Sequence, residues 1–144
     1  MLQSIFKLFK RDHVNGAIAE PAVQTDKPVV KLDTATGLMV ERYYHYGKLH
    51  REGDQPAVIE YEPTTKRVLR EQYFADGQLH REEGKPAFIE YSPSTGNIIL
   101  EVFFQHGKLY RNQNSPAAID YDRTTGAPIL YDQSRPGSPP IKQG

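Results

Sequence analysis

The chain repeats itself every thirty residues, and that period restricts its possible folds more than any other feature. Residues 43–61, 73–91 and 103–121 align without a gap and share seven identities: Gly47/Gly77/Gly107, Leu49/Leu79/Leu109, Arg51/Arg81/Arg111, Pro56/Pro86/Pro116, Ala57/Ala87/Ala117, Ile59/Ile89/Ile119 and Tyr61/Tyr91/Tyr121. A partial unit precedes them in "KPVVKLDTATGLMVE" and another begins in "YDRTTGAPILY", so the repeats run from about residue 27 to 131. Fully burying one Ile or Phe contributes about 1.5–3 kcal/mol, and each unit holds only a few such side chains. One unit cannot build a core alone; the units must stack.

Each unit reads as strands. "AFIEY" and "NIILEVFF" are rich in β-branched and aromatic residues, and the turn formers "SPSTG" between them have counterparts in "EPTTK" and "DRTTG". The second strand ends at "HYG", "ADG" or "QHG". Asp76-Gly77 suits a type I′ turn best, because both central residues need positive φ. Pro56, Pro86 and Pro116 lack the ladder N–H and mark where the next strand begins. Alternation sends Ala87, Ile89 and Tyr91 one way and Phe88 and Glu90 the other; on the following strand Ile98, Leu100, Val102 and Phe104 oppose Ile99, Glu101 and Phe103. The expected fold class is all-β: a repetitive antiparallel β-meander of about 7–9 strands built from thirty-residue hairpin repeats, with a short N-terminal amphipathic helix.

The bulk numbers narrow the function classes. Eighteen basic and eighteen acidic side chains cancel, which removes the long-range field that drives non-specific nucleic-acid binding. No cysteine is present, so neither a disulfide framework nor a thiolate metal site is available, and a reducing, cytoplasmic setting is expected. "MLQSIFKLFKRDH" places its basic residues after the apolar ones and carries no small-residue cleavage site, so it is not read as an export signal. No stretch approaches the ~20 apolar residues of a membrane-crossing helix.

His50-Arg51-Glu52 and His80-Arg81-Glu82 come closest to a catalytic signature. Neighbours along a strand face opposite sides, and the third unit has Tyr110 and Asn112 where the His and Glu stand. The triplet is therefore read as scaffolding, with the arginine either pairing with carboxylates or packing its stem over the sheet. A hydrolase using His50 and His80 is the distant alternative. His13, His45 and His106 show no H-x-x-x-H or similar spacing, and no nucleotide-binding or nucleophile-elbow motif occurs. No catalytic residue, metal or cofactor is expected.

Two sets of carboxylates also repeat: Glu60, Glu90 and Asp120 on one strand, and Glu41, Glu71 and Glu101 on the next, all expected on the outer face. Like charges facing across strands destabilise a sheet. Arg51, Arg81 and Arg111 are the simplest counter-ions; a basic partner surface or a hard cation such as calcium are the alternatives. With exposed Phe88 and Phe103 as aromatic anchors, the expected partner-binding surface comprises Phe88, Glu90, Glu101, Phe103, Glu71 and Tyr73.

Outside the repeats, residues 1–11 place Leu2, Ile5, Phe6 and Phe9 at helical spacing beside Lys7, Lys10 and Arg11. Such a helix has three options: its own sheet, a groove on a partner, or an anionic membrane, the contacts being made by Ile5, Phe6, Lys7, Phe9 and Lys10. Residues 12–26 read as a linker, and the Pro/Gly/Ser-rich 132–144 as a disordered tail. With +3 in residues 1–11 and +1 in the tail, a chain of zero net charge leaves −4 for the remainder.

"YYHYGKLHREGDQPAVIEY" and "YFADGQLHREEGKPAFIEY" resemble the variant MORN repeats of the YwqK-like antitoxin family, through Tyr43, Tyr44, Gly47, Leu49, His50, Arg51, Glu52, Pro56, Ala57 and their partners thirty residues on. The resemblance covers about 105 residues. These units are longer than the usual twenty-odd residues, extra residues precede the proline, and the third unit lacks the His and Glu. The resemblance implies an extended antiparallel meander used for protein contacts, with antitoxin or immunity activity in part of the family and no catalysis. The resulting expectation is a non-enzymatic interaction module of bacterial or phage origin, an inhibitor or antitoxin for a protein with a basic, partly apolar patch. The alternative is a membrane-surface or assembly scaffold held by the N-terminal helix. Homo-oligomers through the sheet edges are a further option.

Overall fold

A computed structural model describes residues 27–110 and 116–129. Every regular element in them is a strand: β1 (Val29–Asp33), β2 (Leu38–Arg42), β3 (Tyr44–His45), β4 (Lys48–Leu49), β5 (Val58–Tyr61), β6 (Val68–Gln72), β7 (Phe74–Ala75), β8 (Gln78–Leu79), β9 (Phe88–Tyr91), β10 (Ile98–Val102), β11 (Phe104–Gln105), β12 (Lys108–Leu109), β13 (Ala118–Tyr121) and β14 (Pro128–Ile129). Long strands form one eight-stranded antiparallel sheet in the order β1-β2-β5-β6-β9-β10-β13-β14, and the short ones form three separate hairpins, β3-β4, β7-β8 and β11-β12. The all-β meander is as the period predicts. The helix expected over 1–11, the linker over 12–26 and the tail over 132–144 lie outside the described residues.

The two hairpin types follow from their turns. Long hairpins close through loops 33–38, 62–67, 92–97 and 122–127. In each, the N–H of the fifth residue bonds the carbonyl of the first, and the fifth residue takes positive φ: Gly37, Lys66, Gly96 and Gly126. The leading side chain caps the loop, as when Asp33 accepts from the Ala35 N–H at 2.9 Å. Short hairpins close on Tyr46-Gly47, Asp76-Gly77 and His106-Gly107, both residues of each pair having positive φ, as a type I′ turn requires. The proline of each unit stands two residues before β5, β9 and β13.

Register determines which face holds the core. Val58, Gln72, Phe88, Val102 and Ala118 lie in one cross-strand row, and Val58, Phe88 and Val102 cluster with Val40 and with Phe74, Leu79 and Phe104 of the short hairpins. Phe88 is only 1% exposed. This corrects the expectation that Phe88 is an exposed anchor: its face is core, and Ile89 and Tyr73 of the other face are buried in the same cluster, with Tyr91 packed against it. The physical reason is that the short hairpins contribute their own apolar residues to the Phe88 face, an effect invisible to alternation within one strand. Register shifts between Glu60 and Tyr61 and between Ile98 and Leu100 also move Ile98 opposite Tyr91, away from Leu100 and Val102.

Candidate functional site

The second face of the sheet carries a polar and aromatic pattern that repeats with the units. One row reads Glu41, Ile59, Glu71, Ile89, Glu101, Ile119 across successive strands, so glutamate and isoleucine alternate. Two strand spacings of about 4.8 Å separate successive glutamates by roughly 10 Å. The Tyr91 hydroxyl donates to Glu71 at 2.8 Å and the Tyr121 hydroxyl to Glu101. In the first unit Tyr43 donates to Glu41 at 3.3 Å, and burial with the neighbouring Glu41 raises Tyr61. Burial, with the neighbouring carboxylate adding to it, raises Tyr121 to about 12 and Tyr91 further. These hydroxyls therefore remain protonated donors, and each holds a carboxylate in place.

Above the same face lie the repeated arginines. Arg51 stacks on the Tyr43 ring at 3.7 Å and Arg81 on Tyr73 at 3.6 Å, and each donates to the carbonyl of its unit's proline, Pro56 or Pro86, at 3.2 Å. The planar guanidinium suits both contacts at once. Arg81 also pairs with Asp54 of the preceding unit, at 2.7 and 3.3 Å, and Lys85 joins it at 3.0 Å. Hydrogen bonds from Arg81 and then Lys85 hold the Asp54 carboxyl down to about 2.

The carboxylate sets expected together are on opposite faces. Glu60 and Glu90 share the core-side face with Arg70, which bonds Glu60 at 2.7 Å and approaches Glu90 at 3.6 Å. Glu60 faces Arg70 across β5-β6, and Arg70 faces Glu90 across β6-β9. Register pairs Ile59 with Glu71 and Ile89 with Glu101, which sends the second set outward with the tyrosines. Among the six expected partner residues, Glu71 and Glu101 thus share a face, joined by Tyr73, while Phe88 and Glu90 belong to the other. Phe103 stands at the repeat position of Tyr43 and Tyr73 and is partly exposed. The counter-ions differ as well: Arg70 serves Glu60 and Glu90, tyrosine hydroxyls serve the outer row, and Arg51 and Arg81 stack on aromatic rings instead. Arg111 lies outside the described residues.

The histidines of the triplets join one unit to the next. His50 accepts the Asp76 N–H at its Nδ1 (3.1 Å), so that nitrogen is unprotonated and the Nε2–H donates to Glu52 at 2.9 Å. His80 does the same with the His106 N–H (3.2 Å) and Glu82 (2.8 Å). Beside each, a backbone bond links neighbouring short hairpins, Gly77 N–H to Leu49 C=O and Gly107 N–H to Leu79 C=O. The two histidines therefore occupy equivalent places in successive hairpins and do not converge with an acid in one cleft. An open depression at loop 62–67, lined by Glu62, Thr64, Thr65, Arg67, Leu69 and Pro93, contains neither of them.

One cluster escaped the sequence reading because its members come from two units. His45 lies beside His50, ring centroids 5.2 Å apart, and the Asp76 carboxylate is 3.8 Å from His50 Nδ1. Donor atoms of the three lie within 4.8 Å of one another. Nothing in linear spacing announces Asp76 as a neighbour of residues 45 and 50.

Among the described residues no helix is long and apolar enough to cross a membrane, a statement that does not bear on strands. Fold and face together define a class, an all-β repeat protein whose units are joined edge to edge in one meander. Comparison with family models, curated proteins and solved structures gives no match to this chain.

Proposed function

We propose that the chain is a non-enzymatic protein-binding module, and that its contact surface is the outer face carrying Glu41, Glu71 and Glu101 with Tyr43 and Phe103, Tyr73 lying buried beneath Arg81. The observation that supports this most is the periodic Glu–Tyr ladder: carboxylates held by tyrosine hydroxyls at roughly 10 Å intervals, partly exposed, on the face turned away from Phe88 and Val102. Pre-positioned aromatic and charged groups lose little conformational freedom on binding. A partner with a basic, partly apolar patch fits such a face, and inhibition or antitoxin activity, for a protein of bacterial or phage origin acting in the cytoplasm, is the specific role we infer from the MORN-like units. The histidines support the reading, since in His50 and His80 one ring nitrogen bonds a backbone N–H of the next unit and the other a glutamate of its own unit.

The test is affinity capture from the native host with the wild-type chain and with the Glu71→Gln/Glu101→Gln variant. Glutamine keeps an acceptor for Tyr91 and Tyr121 but removes the charge. A partner retained by the wild type and lost by a folded double variant is the expected result; equal retention by both excludes this face. Loss of capture only on removal of residues 1–11, together with vesicle binding by the full chain, favours a scaffold held at a membrane surface instead.

A further inference from the structure

We propose that His45, His50 and Asp76 form a binding site for one divalent transition ion of the zinc type, at the junction between the first two short hairpins. Two imidazoles and a carboxylate are a borderline ligand set suited to Zn²⁺ and its neighbours, and leave a position open for water or a partner's side chain. Three observations carry the assignment.

The donor atoms already lie within 4.8 Å of one another, so modest side-chain rotation brings them to a common ion. His50 is also in the required tautomer: its Nε2–H is held by Glu52 at 2.9 Å, which directs the Nδ1 lone pair toward Asp76. A carboxylate on the distal nitrogen is the arrangement that orients metal-bound histidines. The present occupant of that lone pair is a single neutral hydrogen bond from the Asp76 N–H at 3.1 Å, a weaker competitor than a metal–imidazole bond.

The third observation is that repetition does not demand these residues. At the positions of His45 the later units have Ala75 and Gln105, and at the positions of Asp76 the flanking units have Tyr46 and His106. The next junction keeps the histidine tautomer and the backbone bonds, so the junction works as scaffolding without a His45 or Asp76 equivalent. That second junction, with His80 and His106 stacked at 4.3 Å and alanine in the third place, is an internal comparison. An ion at the first would tie β3-β4 to the β7-β8 turn by coordination in place of the Asp76 N–H bond, alongside the bond from Gly77 N–H to Leu49 C=O.

The experiment is calorimetric titration of the full chain with Zn²⁺, paired with thermal melts. The wild type is expected to bind one equivalent and to melt higher with the ion. His45→Ala and Asp76→Asn should each weaken binding at least tenfold and abolish the thermal shift, since asparagine still tolerates the positive φ of that turn. His106→Ala should bind as the wild type does. Absence of binding, binding unchanged in both His45→Ala and Asp76→Asn, or equal weakening by His106→Ala overturns the proposal. Circular dichroism of each variant without metal separates lost ligands from lost fold.

Discussion

Lys66 occupies the fifth place of a long-hairpin loop, where the three sister loops have Gly37, Gly96 and Gly126. Its φ of 61° lies where an L side chain costs about 1–2 kcal/mol. Glycine gives back part of that through its looser unfolded state. Lys66→Gly is therefore expected to stabilise by about 0.5–1 kcal/mol, read as a higher urea midpoint at unchanged slope. Phe88 sets the opposite extreme. At 1% exposure in the middle of the core cluster, Phe88→Ala should cost about 3–5 kcal/mol; a loss below 1 kcal/mol in the same assay would contradict its central place. Asp54 supplies the pH dependence. Its carboxyl is depressed to about 2 by Arg81 and Lys85, below the unfolded value of about 3.9. Its contribution is thus present above the unfolded pKa and disappears as pH falls from about 4 toward 2. The side chain is 44% exposed, so solvent screening leaves about 0.5 kcal/mol. The stability difference between wild type and Asp54→Asn should shrink over that window.

Among the elements, the short hairpins are held to one another by few hydrogen bonds. Each is two residues per strand and depends on its neighbour through a histidine and one backbone bond. His80→Ala removes the acceptor of the His106 N–H and the stacked ring beneath His106. A lost hydrogen bond of this kind is worth about 1 kcal/mol, so the His106 and Gly107 amides should exchange about fivefold faster while β5–β6 amides are unchanged; uniform acceleration would mean that the histidine serves the whole sheet. The long-hairpin loops are fastened in parallel. Thr95 donates to the Arg123 carbonyl at 2.9 Å, Asn97 to Thr124 at 3.2 Å, and Arg67 to Pro93. Strand and turn composition made these elements legible in the sequence. Face assignment was not, because the β-bulges and the folding over of the short hairpins are events between strands, and alternation describes only one strand at a time.

For the molecule as a whole, every long strand bonds only its neighbours in chain order, so stability is expected to behave as a sum of unit and interface terms. Amide exchange should be slowest in β6 and β9 and fastest in β1, whose Val30 and Leu32 are exposed, and in β14; one uniform rate would show the sheet to be a single cooperative body. From the sequence alone come the period, the hairpins and the turn chemistry, because these depend on local propensity and on repetition, which a linear string displays in full. Tertiary structure decided which face is core, that Glu60 and Glu90 take Arg70 while Glu71 and Glu101 take tyrosines, and that His45, His50 and Asp76 meet. Those outcomes depend on register and on contacts about thirty residues apart, and a one-residue slip in register turns every side chain to the other face.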